Sequence, residues 1–152
     1  KTLVRQTSSS HGSDGFITSE PELLQRGISR MRDKLLKDRD ALSLHRLDSY
    51  PGAEILLIVY GVTSRAAKDA VRTLRKRSHR LSLLILHTLY PVPEKLLREE
   101  ISKVSRVIVV EMNLGQYVRE IERMSGAIEV EFFGKMNGEL ISPKEIVRVI
   151  ES

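Results

Sequence analysis

Two polar segments stand where apolar runs of the sequence end. Gly61–Ser64 follows the run 55–60, and Glu111–Gln116 follows the run 107–110. A turn that opens a helix presents free backbone N–H groups, and such groups bind anions. The first segment lacks the later glycines of a dinucleotide fingerprint and has no Gly-Lys-Ser/Thr. It is therefore interpreted either as an anion site or as a tight turn in which Ser64 caps a helix.

No catalytic centre can be assembled from the other residues. The four histidines, at positions 11, 45, 79 and 87, have no metal-ligand spacing. The sequence contains no Gly-x-Ser-x-Gly, no His-Glu-x-x-His and no pair of active-site carboxylates. It has no cysteine, which excludes a cysteine-bound zinc or iron–sulfur site within it. We expect no catalytic, cofactor-binding or metal-binding residue in this chain, and no activity from the chain alone.

A third strand exit, His87–Pro93, places apolar residues in a loop, which indicates internal packing or a subunit interface. In the second segment, Asn113 and Gly115 suit a turn, and Gln116 can point across a crevice. Truncating Asn113 or Gln116 is then expected to leave the fold almost intact and to weaken subunit association. The interface candidates are Thr63, Ser64, Leu89, Tyr90, Pro91, Glu111, Asn113, Gly115 and Gln116.

The elements that position these loops follow from hydrophobic periodicity. The runs 55–60, 81–86 and 107–110 are apolar almost without alternation, which is typical of parallel strands buried on both faces. A fourth strand near Ile128–Phe132 alternates with glutamates, as expected near a sheet edge. Helical patterns separate them. We predict an α/β fold, a three-layer α/β/α sandwich with a mostly parallel sheet of four to five strands. The predicted strand order is 81–87, 54–60, 106–111, 127–133.

A long helix precedes this domain. Its apolar residues form one narrow stripe at coiled-coil-like spacing, Leu24, Ile28, Met31, Leu35 and Leu42. Such a stripe needs a partner surface. We predict a tail or linker over 1–18, a connecting helix over 19–48 and the α/β domain over 49–152.

Composition narrows the classes of partner. The chain is 41% hydrophobic and 30% charged, with a net charge of +5. No apolar run approaches the roughly 18 residues that a membrane span needs, so no membrane partner is expected. Much of the basic excess lies in Arg72–Arg80, where cations suit the end of a helix.

The absence of cysteine fits a cytoplasmic protein. Because the chain begins at Lys1 without an initiator Met, we expect a piece of a longer protein.

These segments resemble, in order, the transketolase C-terminal-like domain of the alpha subunits of 2-oxoacid:ferredoxin oxidoreductases. Ile55–Ser64 resembles the first strand and turn, and Leu89–Glu94 looks like the Tyr-Pro-x-Pro loop. Val109–Gln116 is similar to the Glu-Asn-x-x-Gly-Gln-type segment, and Lys135–Ile146 to the terminal hairpin and helix. Ser10–Glu22 looks like the segment that leaves the preceding pyrimidine-binding domain. The resemblance covers nearly the whole chain.

The resemblance implies a parent enzyme that oxidatively decarboxylates a 2-oxoacid to an acyl-CoA and reduces ferredoxin. It implies thiamine diphosphate, Mg²⁺ and iron–sulfur clusters for the parent complex and no cofactor for this chain, because the family's Tyr-Pro-x-Thr-Pro motif belongs to the absent first domain. The implied partners are the preceding pyrimidine-binding domain, the beta subunit, and ferredoxin and coenzyme A through the parent complex, within an oligomer. The role implied for this chain is structural: it packs against the catalytic domains.

Three alternatives stay open. A C-terminal domain of transketolase or 1-deoxyxylulose-phosphate synthase has the same fold, although the long helix and the Tyr90–Pro93 loop favour the ferredoxin-dependent family. A stand-alone flavodoxin-like domain that binds an anion or another ligand would need a phosphate cradle or paired carboxylates. Nucleic-acid binding through Arg72–Arg80 lacks interleaved aromatics, since the chain has three Phe, four Tyr and no Trp.

Overall fold

The computed structural model describes residues 10–152, which belong to two compact units. One unit ends at Leu42, and the other spans Ser43–Ser152. Residues 1–9 of the predicted 1–18 tail lie outside the described residues. The rest of that tail forms a tight turn, closed by an antiparallel bridge between His11 and Ile17. In the described part, no helix is both long enough and apolar enough to cross a membrane.

The first unit contains helix α1 (Pro21–Lys37) and a short helix α2 (Arg39–Leu42). Proline at the start of α1 costs no hydrogen bond, because the first N–H groups of a helix have no acceptor within it. Lys34 and Lys37 in the last turn suit the helix dipole. No residue of α1 is buried, and Ile28 is 58% exposed. Of the apolar stripe predicted from the sequence, Ile28 and Met31 are exposed on α1, Leu42 is exposed on α2, and Leu24 and Leu35 are half-buried.

The second unit alternates strands and helices. Its elements are β1 (His45–Asp48), β2 (Ile55–Tyr60), α3 (Thr63–Lys76), β3 (Leu81–Leu86), α4 (Glu94–Ile101), β4 (Arg106–Glu111), α5 (Val118–Ser125), β5 (Val130–Gly134) and α6 (Pro143–Glu151). The strand order in space is β1-β3-β2-β4-β5. Strands β2 to β5 are parallel. The predicted order of the four parallel strands is confirmed, and so is the fold class.

One strand was missed by the sequence analysis. The predicted connecting helix over 19–48 stops at Leu42, and β1 follows it. Strand β1 pairs antiparallel with β3, with His45 opposite Leu86 and Asp48 opposite Leu83. It supplies partners for the outer backbone groups of β3, which would otherwise form an open edge.

Two apolar clusters lie on the two faces of the sheet. Alternate residues of the central strands, such as Leu57 and Val59, point to the face covered by α3 and α6. Their neighbours, such as Leu56 and Ile58, point to the face covered by α4 and α5. The central strands are buried on both faces, which explains their continuous apolar sequence.

Helix α6 is fixed at both ends. The Ser142 hydroxyl accepts a hydrogen bond from the Glu145 N–H at 3.3 Å, and the Glu145 carboxylate accepts one from the Ser142 N–H at 2.8 Å. These bonds form a capping box. The N–H and hydroxyl of Ser142, together with Lys135, donate to the Glu145 carboxylate and lower its pKa to about 2. At the other end, Arg106 donates to the Ile150 carbonyl at 2.7 Å and pairs with Glu131 of β5.

The basic stretch 72–80 makes ion pairs within the domain. Arg75 donates to Asp48 at 3.0 Å and to the Leu81 carbonyl at 3.0 Å, and its guanidinium lies 5.3 Å from the centre of the Tyr50 ring. Arg77 pairs with Glu151 at 2.8 Å. Arg72 also pairs with Asp69, Arg80 with Glu54, and the His79 ring lies 3.6 Å from the Glu151 carboxylate.

Candidate functional site

The carboxyl ends of the parallel strands carry a buried polar network centred on Glu111. Glu111 is 1% exposed, and its side chain accepts four hydrogen bonds. The Tyr60 hydroxyl donates at 2.6 Å and the Asn113 amide at 2.9 Å. The backbone N–H groups of Tyr117 and Val118 donate at 3.1 and 2.9 Å. Glu111 thus places a carboxylate at the N-terminus of α5, where the helix dipole favours negative charge.

Asn113 forms a turn, as its residue type predicted, and its side chain bonds within the domain. Its amide also donates to the Tyr60 oxygen at 2.6 Å, and its side-chain oxygen accepts from the N–H groups of Gly115 and Gln116 at 2.8 and 3.0 Å. An Asn that bonds the backbone two residues ahead forms an Asx turn. Asn113 therefore shapes the loop from inside, so truncating it should disturb the domain itself.

Two aromatic rings complete the network. The rings of Tyr60 and Tyr117 lie edge to face with centroids 5.7 Å apart. Burial, the bond to Glu111 and the Glu111 charge together raise the pKa of Tyr60 to about 12. Burial is also the main cause that raises the pKa of Tyr117, whose hydroxyl is buried and bonds to no described residue. The sequence analysis missed both tyrosines, although a hydroxyl that ends an aliphatic strand is a usable signal.

Gly134 lets the loop after β4 approach β5. A Cβ at Gly134 would lie 2.5 Å from the Asn113 carbonyl oxygen, and it would also overlap the Phe132 ring. Gly115 has φ +85°, and a Cβ there would lie 3.2 Å from Val118. Both glycines are therefore needed where the loop packs against the edge of the sheet.

The structure separates the interface candidates into three groups, which are buried, half-buried and exposed. Thr63, Pro91, Glu111 and Gly115 are buried, while Ser64, Leu89 and Asn113 are half-buried. Leu89 packs against the α4/α5 side of the core, and the Ser64 hydroxyl donates to the Gly61 carbonyl at 2.7 Å. Tyr90, at 71% exposed, and Gln116 remain accessible.

Exposed apolar side chains collect at this same edge of the sheet. We call the following residues the carboxyl-edge patch: Leu44, Val62, Tyr90, Leu114, Met136 and Leu140. Leu114 is 76% exposed. Leu44 belongs to this edge because its carbonyl accepts from the N–H groups of His87 and Thr88, just after β3. Within residues 43–152, the loops at the opposite edge contain no exposed large apolar residue.

The donor set does not fit a metal or iron–sulfur cofactor. Among residues 10–152, no three His, Cys, Asp or Glu side chains come together to hold a metal ion. Glu111 is the buried acid of the network, and its lone pairs are taken by backbone, tyrosine and amide donors. The network can therefore hold the loops in place.

Solved structures share this fold. The 2-oxoglutarate:ferredoxin oxidoreductase from Magnetococcus marinus, solved with 2-oxoglutarate, coenzyme A and succinyl-CoA bound, superposes with a TM-score of 0.79 and 20% identity, over 95% of this chain and 26% of that chain. A split-gene transketolase superposes with a TM-score of 0.58 and 19% identity, over 70% of this chain and 40% of that chain. At these identities the likeness concerns the fold, which is the transketolase-like fold that the sequence predicted.

Curated proteins are similar in sequence over nearly the whole chain. The 2-oxoglutarate synthase subunit KorA of Methanothermobacter thermautotrophicus is 36% identical over 146 residues, which cover 95% of this chain and 39% of KorA. KorA of Methanocaldococcus jannaschii is 35% identical over 97% of this chain and 40% of its own length. The ketoisovalerate oxidoreductase subunit VorB of Methanothermobacter marburgensis is 41% identical over 64% of this chain and 28% of VorB. The chain therefore spans about two fifths of the length of KorA.

The strongest assignment comes from a family model. The model described as pyruvate:ferredoxin oxidoreductase core domain II matches residues 53–146. This range begins just before β2 and ends within α6, so it includes all four parallel strands and the network around Glu111. On this match and the identity to KorA, the chain belongs to the pyruvate:ferredoxin oxidoreductase core domain II family.

Proposed function

We propose that the chain is the C-terminal transketolase-like domain, with its connecting helix, of the alpha subunit of a 2-oxoacid:ferredoxin oxidoreductase. The parent enzyme decarboxylates a 2-oxoacid, transfers the acyl group to coenzyme A and passes two electrons to ferredoxin. KorA and VorB, which are named for 2-oxoglutarate and ketoisovalerate, support a substrate with a carbonyl next to a carboxylate. In this proposal the α/β domain begins at Ser43, so that it includes β1.

We assign the cofactors to the rest of the parent complex. Thiamine diphosphate, Mg²⁺ and iron–sulfur clusters need ligands that residues 10–152 do not group together. Calorimetric titration of thiamine diphosphate into the purified chain should give no signal at micromolar concentrations. Tight binding by the chain would contradict this assignment. We place the parent enzyme in the cytoplasm, where ferredoxin would be its electron acceptor.

The contribution of this domain is assembly. The observation that supports it is the one-sided distribution of exposed apolar residues, which lie in loops at one edge of the sheet. Exposed apolar groups that cluster in this way mark contact surfaces. We propose that the carboxyl-edge patch packs against the preceding pyrimidine-binding domain or the beta subunit, with Tyr90, Leu114 and Gln116 in direct contact. Ile28 and Met31, which are exposed on α1, support a second contact with the same partners.

The test uses the complete alpha subunit purified with its beta subunit. Tyr90→Asp and Leu114→Asp place a carboxylate in the patch, and we expect each to weaken subunit association by at least about tenfold, since buried aromatic and aliphatic anchors dominate interfaces. Ile28→Asp tests α1 in the same way. Ala127→Asp is the matched control, because Ala127 is exposed in a loop at the opposite edge.

Sedimentation gives the mass of the complex, turnover gives its activity, and thermal melting of the 152-residue chain checks the fold. The expected result is unchanged melting of the chain together with a smaller complex for Tyr90→Asp and Leu114→Asp. Complexes of normal mass and turnover from both variants would show that the patch is not a subunit contact.

A further inference from the structure

A pocket of about 290 Å³ opens beside the N-terminus of α3, on the α3/α6 side of the sheet. Most of its wall is apolar, and two charged residues lie in its lining. The lining residues are Val62, Thr63, Arg65, Ala66, Asp69, Met112, Leu140, Ile141 and Pro143. The pocket shares Thr63 with the interface candidates, and Val62 and Leu140 with the carboxyl-edge patch.

Thr63 brings two unsatisfied donors to this pocket. The residue is 4% exposed. Its N–H stands in the first turn of α3 and has no helical acceptor, whereas the next two N–H groups bond to the Gly61 and Val62 carbonyls at 3.2 Å. Neither the N–H nor the hydroxyl of Thr63 donates to any residue between 10 and 152. Thr63 lines the pocket, and its hydroxyl oxygen is not among the fully buried unpaired atoms, so both donors are available to an acceptor from outside the chain.

Charge at the pocket favours an anionic acceptor. The guanidinium of Arg65 has no acidic partner among the described residues, and the N-terminus of α3 carries partial positive charge. Asp69 also lines the pocket, but its carboxylate pairs with Arg72 at 2.9 Å. The positive end of the helix, Arg65 and the two Thr63 donors therefore point toward one small anion.

The walls define the rest of the ligand. Ala66, Met112, Ile141 and Pro143 offer apolar surface, and the volume equals about ten water molecules at roughly 30 Å³ each. A phosphate is not favoured, because the preceding turn lacks a glycine-rich cradle. We propose that this pocket binds a short-chain aliphatic carboxylate of about four to six carbons. The carboxylate accepts from Thr63 and faces Arg65, and the hydrocarbon chain lies on the apolar wall. This proposal does not depend on the proposed function.

The experiment is an NMR titration of the ¹⁵N-labelled 152-residue chain. The probe is sodium 3-methylbutanoate, and the comparison compounds are 3-methylbutanamide, which has no charge, and acetate, which has no hydrocarbon chain. We expect saturable shifts at the amides of Thr63, Ala66 and Ile141, with a Kd on the order of 1 mM or tighter. The amide and acetate should each bind at least about tenfold more weakly.

Three variants complete the test. Thr63→Val keeps the shape of the side chain and should weaken binding by about tenfold, since it removes a donor to a charged acceptor. Arg65→Gln, at an exposed position, should also weaken binding and provides the test if Thr63→Val does not fold. Thr73→Val on the same helix is the matched control and should bind like the wild type, because its hydroxyl bonds to the Asp69 carbonyl. Equal affinity for the acid and the amide, or no saturable shift at Thr63, would overturn the proposal and leave water as the acceptor.

Discussion

The Tyr60 hydroxyl and the Glu111 carboxylate lie 2.6 Å apart, and this hydrogen bond joins the carboxyl ends of β2 and β4. Tyr60 ends a strand that is otherwise aliphatic, and Glu111 ends a strand whose four central residues are aliphatic. Hydrogen bonds between a hydroxyl and a carboxylate are typically this short. Through Glu111 the same contact reaches the first N–H groups of α5. One carboxylate therefore holds together the ends of two strands and the start of a helix.

Glu111→Gln should lower the free energy of unfolding by about 3 kcal/mol. The new NH₂ group would face donors where the carboxylate accepted four hydrogen bonds, so at least one buried group would lose its partner. Urea unfolding followed by circular dichroism gives the value. Glu122→Gln, at an exposed position of α5, is the control and should stay within about 0.5 kcal/mol of the wild type. Equal stability of the two variants would refute the role of Glu111.

Stability should fall at high pH because of Tyr60. Burial and the Glu111 carboxylate raise the pKa of Tyr60 from 10.0 in the unfolded chain to about 12. The folded state holds the phenolic proton more tightly, so this contribution is complete below pH 10 and is lost as the pH rises through 12. Absorbance at 295 nm should show an ionisation near pH 12 that Tyr60→Phe removes. Stability of Tyr60→Phe should decline less steeply between pH 10 and 12, and parallel curves would count against this account.

Tyr117→Phe should leave stability unchanged or raise it by about 1 kcal/mol. The Tyr117 hydroxyl is buried and has no partner among the described residues, so removing it removes an unpaired polar group and keeps the packed ring. Tyr60→Phe, which breaks a formed hydrogen bond, should have the opposite sign at neutral pH. The urea midpoints of both variants, measured side by side with the wild type, give the sign of each change in stability. A loss of more than about 1 kcal/mol in Tyr117→Phe would show that its hydroxyl is paired.

Gly134→Ala should destabilise the domain by about 2 kcal/mol, because the added methyl group would press on the Asn113 carbonyl and force the loop after β4 away from β5. Gly27→Ala is a useful comparison. A Cβ at Gly27 would meet nothing within 4 Å, so that change should stabilise α1 by about 0.5–1 kcal/mol. Thermal melting and helical circular dichroism measure both effects. A neutral Gly134→Ala would mean that the loop moves aside without cost.

Ser78→Gly should stabilise the domain by about 0.5–1 kcal/mol. Ser78 follows α3 with φ +68°, and it is a residue type that rarely adopts this conformation. The N–H of Ser78 bonds to the Arg75 carbonyl and that of His79 to the Leu74 carbonyl, which together form a Schellman motif. Glycine at this position keeps both bonds and removes the strain. Ser78→Val should be destabilising, and a stable valine variant would argue against strain at this position.

Much of the fold was accessible from the sequence because the central strands are buried on both faces. Continuous apolar runs identified β2, β3 and β4, and alternation with glutamates placed β5 at an edge. Strand β1 was missed for the opposite reason. It has four residues, only Leu47 among them is apolar, and three of the four are exposed. Its position depends on pairing with β3, which local periodicity does not encode.

The site was predicted less completely. The sequence identified the loops that meet at the carboxyl edge, because parallel strands end at a common edge. It could not tell which of their polar groups point inward. Glu111, at the end of a buried strand, was interpreted as a contact for a partner. Its carboxylate instead accepts hydrogen bonds from the first N–H groups of α5 and from Tyr60. The exposed Leu114 was not among the interface candidates, because its burial depends on how the loop folds around Asn113 and Gly115.

The short strand β1 also affects how the sheet resists aggregation. The edge of a sheet can template pairing with a second chain. On one side, β1 covers β3 and becomes the edge strand itself. It is only four residues long, and three of the four are polar or charged. On the other side, β5 presents Glu131 within the strand and Glu129 just before it. Charges on a short edge strand discourage intermolecular strand addition. Both margins of the sheet are therefore protected while the strands between them are almost entirely apolar.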